Sequence, residues 1–353
     1  MSGDTMNITL AATKERPLLR FAFGAALIMA LALMIGSSLA YIIPLLALSF
    51  LRPGAPAPTL RSGLTFVGVV ALTTGAGLFF TQYFYEYRLF FLPVLALLLL
   101  WIYYTDVLSP SVKLFLLISF LAMPVPMEGM SVALWAFALN RTLVGGAFFT
   151  MVMVMTVWAL FPDRETVAVK AQGAGGAPPQ QRLSRAARVL LITFPVVLAF
   201  IFFQWSDALL VLLYIVILAL LPSGVKAGMG MVLANLLGGA ATLVVYGLLL
   251  VAPNLFFFLL LYLAAALLFG QQIFSGKPAA QLYQTAFSAF TLLIGGVVMG
   301  EETTGIGTRI VQVFTAVVYV VAADAFLEKV AALPLVQRIS RKGKRNLTTS
   351  SGA

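Results

Sequence analysis

Apolar residues in this chain come in long unbroken runs, separated by short knots of Pro, Gly and charge. The first half holds six such runs, at about Leu18 to Gly36, Leu39 to Leu51, Leu64 to Phe84, Leu89 to Tyr104, Val112 to Val125 and Val132 to Phe161. Six more follow, at about Val189 to Phe203, Ala208 to Leu221, Met229 to Val251, Leu255 to Phe269, Leu282 to Met299 and Ile306 to Phe326. A helix needs roughly 17 to 25 apolar residues to cross the hydrocarbon layer, where only helices and closed barrels satisfy their own backbone. The alternating segments of about ten residues that build a barrel are absent. The pattern predicts an all-α integral membrane protein with about twelve transmembrane helices.

The polar knots set the organisation. Residues 1–17 form an N-terminal segment, 18–162 a first block of six helices, 163–187 a linker, 188–328 a second block of six, and 329–353 a basic tail that turns Ser/Thr-rich. The linker carries Gly173-Ala-Gly-Gly-Ala-Pro-Pro179 between charged residues, a composition that stays flexible. The blocks can be laid over one another. Arg20 matches Arg188, Arg61-Ser-Gly63 matches Lys226-Ala-Gly228, Leu89-Phe-Phe91 matches Leu255-Phe-Phe257 and Arg141 matches Arg309, in order and at offsets of 165 to 168 residues. Four ordered matches at nearly one spacing point to duplication.

Charge fixes the orientation. With the N-terminus inside, all but three of the 22 Lys and Arg residues fall in cytoplasmic segments, the exceptions being Arg88, Arg141 and Arg309. That is the positive-inside bias, and it implies a multi-pass membrane protein with both termini cytoplasmic. Six helices per block is an even number, so the blocks are parallel repeats about an axis along the membrane normal. The net charge of +10 is thereby assigned to loops and not to a nucleic-acid footprint. With 61% hydrophobic and 10% charged residues the chain is far from a soluble domain. It holds no Cys and no His, which removes disulfides, the usual zinc sites and Ser-His or Cys-His catalysis, so no enzyme, cofactor or metal is expected.

The chemistry left to weigh lies in a few polar residues. Arg141 and Arg309 each stand near the outer end of the sixth helix of their block, after Asn140 and Thr308. Two guanidinium forks facing each other across the axis suit an organic anion, and Arg141, Arg309 and Asn140 are the expected substrate contacts. The bland alternatives are snorkelling to the headgroups and ion pairing with Glu128, Glu301 or Glu302. Asp324, near the inner end of the last helix, is the remaining candidate for coupling or pairing. Asn235 and the runs Thr73 to Gly77, Gly238 to Ala241 and Gly295-Gly296 read as close helix contacts. Pro93, Pro124, Pro126 and Pro195 mark kinks or breaks.

Arg20-Phe-Ala-Phe-Gly24 in the first helix, Arg61 to Gly63 opening the third, Asn140-Arg141 in the sixth and six helices duplicated across a linker resemble the fusaric acid resistance and aromatic acid exporter superfamily. The chain looks most like the shorter DUF2955 branch of membrane proteins, over about Leu18 to Glu328. The resemblance implies an inner-membrane efflux permease for small organic, chiefly aromatic, acids, working with an HlyD-like periplasmic adaptor. It leaves homo-oligomers open. Plant malate channels of similar design imply an anion pathway lined by basic residues. The sizeable cytoplasmic domains of typical exporters are missing, so coupling through them does not carry over. A passive organic-anion channel and a non-transporting scaffold for a partner protein, both set in the lipid bilayer, remain the alternatives.

Overall fold

A computed structural model describes residues 2–35, 42–162, 179–205, 209–220, 224–298 and 305–332. Among them are twelve helices: α1 (Ser2–Ile35), α2 (Ile42–Leu51), α3 (Leu60–Phe84), α4 (Arg88–Tyr104), α5 (Pro110–Ala122), α6 (Val132–Leu160), α7 (Pro179–Phe203), α8 (Leu209–Leu220), α9 (Gly224–Val251), α10 (Leu255–Ile273), α11 (Ala280–Val298) and α12 (Gly305–Ala332). Seven stretches are long and apolar enough to cross a membrane: Arg16–Met34, Leu60–Phe84, Val132–Leu160, Gln180–Phe203, Met229–Val251, Leu255–Ile273 and Ala280–Val298. The protein is a multi-pass membrane protein. The expected number of helices is present, but α2, α4 and α5 fall short of a spanning length, and α8 has only 12 residues.

Helix starts follow their caps. Thr59 and Ser62 exchange hydrogen bonds in a capping box at the head of α3, while Ser109 caps α5 ahead of Pro110 and Ser131 caps α6. The end of α5 has a different cause. Pro124 and Pro126 lack the N–H groups that would serve the carbonyls of Phe120 and Ala122, so the helix stops at Ala122 and not at the expected Val125. Ala122 O takes the Trp135 indole N–H of α6 at 2.9 Å in place of the lost donor. Irregular backbone is tolerated among apolar helices only when it is covered, and Met123 to Pro126 are all buried. Pro93 and Pro195, by contrast, are carried inside α4 and α7.

The packing order closes on itself. One group of four has α1 against α2 and α10, with α11 against α10 and α2. A second has α7 against α8 and α4, with α5 against α4 and α8. α6 and α3 join them on one side, α6 lying on α2 and α3 on α5; α12 and α9 join them on the other, α12 lying on α8 and α9 on α11. Each group has its own core, built from both ends of the sequence. Phe21, Ile28 and Leu48 pack with Tyr262, Phe287 and Phe290 in the first. In the second, Phe91, Leu95 and Phe120 pack with Val189, Val197 and Leu212.

Between lipid and protein there is little hydrophobic gain, so close approach and hydrogen bonds hold such helices together. A Cβ on Gly238 of α9 would stand 2.5 Å from the Ala286 carbonyl oxygen of α11, and one on Gly77 of α3 would stand 2.5 Å from Ser119 Cβ of α5. Only glycine permits either contact. Buried hydroxyl pairs add direction, Tyr262 with Thr291 at 2.8 Å between α10 and α11, and Tyr103 with Thr193 at 3.3 Å between α4 and α7.

Candidate functional site

Arg141 is the tenth residue of α6, about 13 Å along it at 1.5 Å per residue. Spacings of three and four place it on one face with Leu134, Phe137, Gly145, Phe148 and Val152, and that whole stripe is exposed. A cation thus sits on an open apolar face, well inside a helix of spanning length. Among the described residues Arg141 has no ion-pair or hydrogen-bond partner, and the salt bridge described in the chain, Arg182 with Asp106 at 2.9 Å, lies elsewhere. Glu128 is exposed in the loop between α5 and α6 and does not pair with it. The adjacent Asn140 is half-buried, and its Oδ1 is buried with no hydrogen-bond partner. Asn140 Oδ1 and the Arg141 guanidinium thus form a polar step along α6 with no hydrogen-bond partner among the described residues.

The second half of the expected site is less defined. Arg309 and Asp324 lie in α12, but their side chains fall outside the described part, as do Glu301 and Glu302 entirely. The principal neighbours of α6 are α3, α2 and α1, and those of α12 are α8, α9 and α7.

The charge bias counts Arg20 among the cations of the cytoplasmic segments, yet it is a core residue of α1, 3% exposed, with its guanidinium carbon 3.6 Å from the centre of the Trp158 ring of α6. Desolvation strengthens such a cation–π contact. The sequence signal was present, since Arg20 stands two residues inside the first apolar run and recurs as Arg188. Nearby, Gly24 lies close to Val157 and Leu51, and Phe23 stacks on Phe161, so α1 meets α6 along this stretch.

Two recesses mark the end of the bundle that carries the start of α7. One, about 420 Å³, runs between α4 and α7 and is lined by Leu97, Leu100, Trp101, Tyr104, Gln180 and Leu183. The other, about 430 Å³, lies where α3 and α5 begin and is lined by Arg61, by Thr59, Ser62, Thr65, Ser109 and Ser111, and by the apolar Phe66, Val69 and Val112. Among the described residues no group of three or more acidic side chains that would hold a metal ion comes together. No family model, curated protein or solved structure matches this chain.

Proposed function

We propose that this protein is a permease for small organic anions, with aromatic carboxylates the leading class, built as two parallel six-helix repeats around a route along their shared axis. The observation that carries the reading is Arg141 with Asn140. A cation exposed along a membrane helix costs about 2.5 to 3.5 kcal/mol, and among the described residues no acidic partner compensates it. An anion with a carboxylate would supply both charge and acceptors.

The packing supports the duplication. Advancing every helix number by six turns the pair α1 and α10 into α7 and α4, α3 and α6 into α9 and α12, and α2 and α11 into α8 and α5. The same shift carries Arg141 towards Arg309. On this reading the chain sits in a bacterial inner membrane with both termini cytoplasmic, belongs with the DUF2955 branch of the aromatic acid exporters, and delivers its substrate to an HlyD-like adaptor.

Efflux of benzoate from loaded cells tests the proposal. Wild-type protein should export it, and Arg141→Gln should abolish export at unchanged protein level. Flux that needs a proton gradient marks a pump, and flux that follows the anion gradient alone marks a passive channel. No flux from the wild type leaves a scaffold, and full flux from the variant returns Arg141 to snorkelling.

A further inference from the structure

Two polar side chains from two helices meet in a seam of the second half, and a third is buried on the helix packed beside them. Tyr214 of α8 donates its hydroxyl to Asn235 Oδ1 of α9 at 3.2 Å, and Asn235 Nδ2 donates to Met231 O at 2.8 Å. Gln312 is buried on the neighbouring helix α12, one turn ahead of Ala316, which packs in the cluster that Tyr214, Met231 and Val232 flank. Asn235 and Gln312 are 6% and 8% exposed. Asn235 lies about 16 Å along α9, inside the apolar span that runs from Met229 to Val251. Gln312 follows Arg309 by three residues on the same helix.

The plain reading is that amides bond helices across lipid. The first half argues against it. Its equivalent helices, α2, α3 and α6, pack in the same order. At the offsets that match Gly63 to Gly228 and Arg141 to Arg309, Asn235 and Gln312 correspond to Val70 and Val144, and Val70 is fully buried. This arrangement of three helices therefore closes with valines in those places. Buried amides cost free energy where apolar residues would serve.

We propose that Tyr214, Asn235 and Gln312 form a hydrogen-bonding seam on the transport route that reads a neutral polar group of the substrate, such as a hydroxyl, beyond its carboxylate. The inference rests on the permease reading and extends it, because it makes the two halves unequal. One half offers the charge step at Arg141, and the other adds a polar contact one turn from Arg309. A substrate with charge at one end and a hydroxyl at the other is then held in one orientation.

Removing Asn235 alone would strand the Tyr214 hydroxyl, so the informative variant is the pair Tyr214→Phe with Asn235→Val, which deletes donor and acceptor together. Purified full-length protein in liposomes is assayed with benzoate and with 3-hydroxybenzoate, and its thermal unfolding is followed in the same preparation. The expected result is a preference for the hydroxylated acid in the wild type that falls about tenfold in the double variant, with the unfolding midpoint held. Gln312→Val should shift the same ratio. A drop in midpoint with both substrates falling in step means the seam is glue, and an unchanged ratio overturns the proposal while leaving the permease reading intact. If the wild type moves neither acid, the permease reading fails and this inference fails with it.

Discussion

Arginine appears in two opposite settings in this protein. Arg20 is buried against Trp158, and Arg141 is open on an apolar face. The first setting is a matter of stability. A guanidinium out of water depends on what faces it, and the indole ring supplies a negative surface without the entropy cost of a mobile acidic side chain. Trp158→Leu should therefore lower stability by about 2 kcal/mol, read as a fall in the thermal unfolding midpoint in detergent, whereas Trp158→Phe should lose much less. The second setting is a matter of function. Composition alone identified Arg141 as unusual because positive-inside bias leaves few cations to explain. It could not separate Arg141 from Arg20, since burial depends on which helix faces meet.

Among the elements, what was readable in the sequence is clear from α3 and α6, whose apolar runs end within a residue of the helices formed. Lengths were less readable. The apolar run from Val112 extends to Val125, yet α5 ends at Ala122, at the break that Pro124 and Pro126 mark by removing backbone donors. The start of α7 at Pro179 lies ten residues before the apolar run at Val189, as its first turns carry Gln and Arg that hydropathy alone does not credit with helix. Contacts between helices were readable only in part. Gly77 and Gly238 make the close approaches expected of small residues, while nothing lies near Gly75. Gly238→Ala should thus cost about 1 to 3 kcal/mol, because the nearest atoms belong to the backbone of α11 and cannot yield. Gly247→Ala, with open space above it, should be neutral or stabilising by about 0.5 to 1 kcal/mol. Thermal unfolding of the two variants side by side checks both.

At the level of the whole molecule, the two halves of the chain are not two halves of the structure. Linear order suggests a block of six helices, a linker and another block, but each core draws on both. Run lengths and charge bias carry no information on which faces pair, so this interleaving lay beyond the sequence. A chain divided at Gly173 and expressed as two pieces in the same cells should form a complex that co-purifies, while either piece alone should fail to accumulate. Stable accumulation of one piece would show that its core closes without the other.

The contact between α1 and α10 bears on how the protein is made. Helix α1, made well before α10 and α11, carries Phe21 and Ile28, whose packing partners include Tyr262 and Phe287. Until synthesis has passed Leu255, that surface has no permanent neighbour, and the early helices must wait in the bilayer or in the care of the insertion machinery. Assembly therefore waits on the synthesis of α10 and α11, and a ribosome that stalls before them leaves behind a fragment with an unfilled seat.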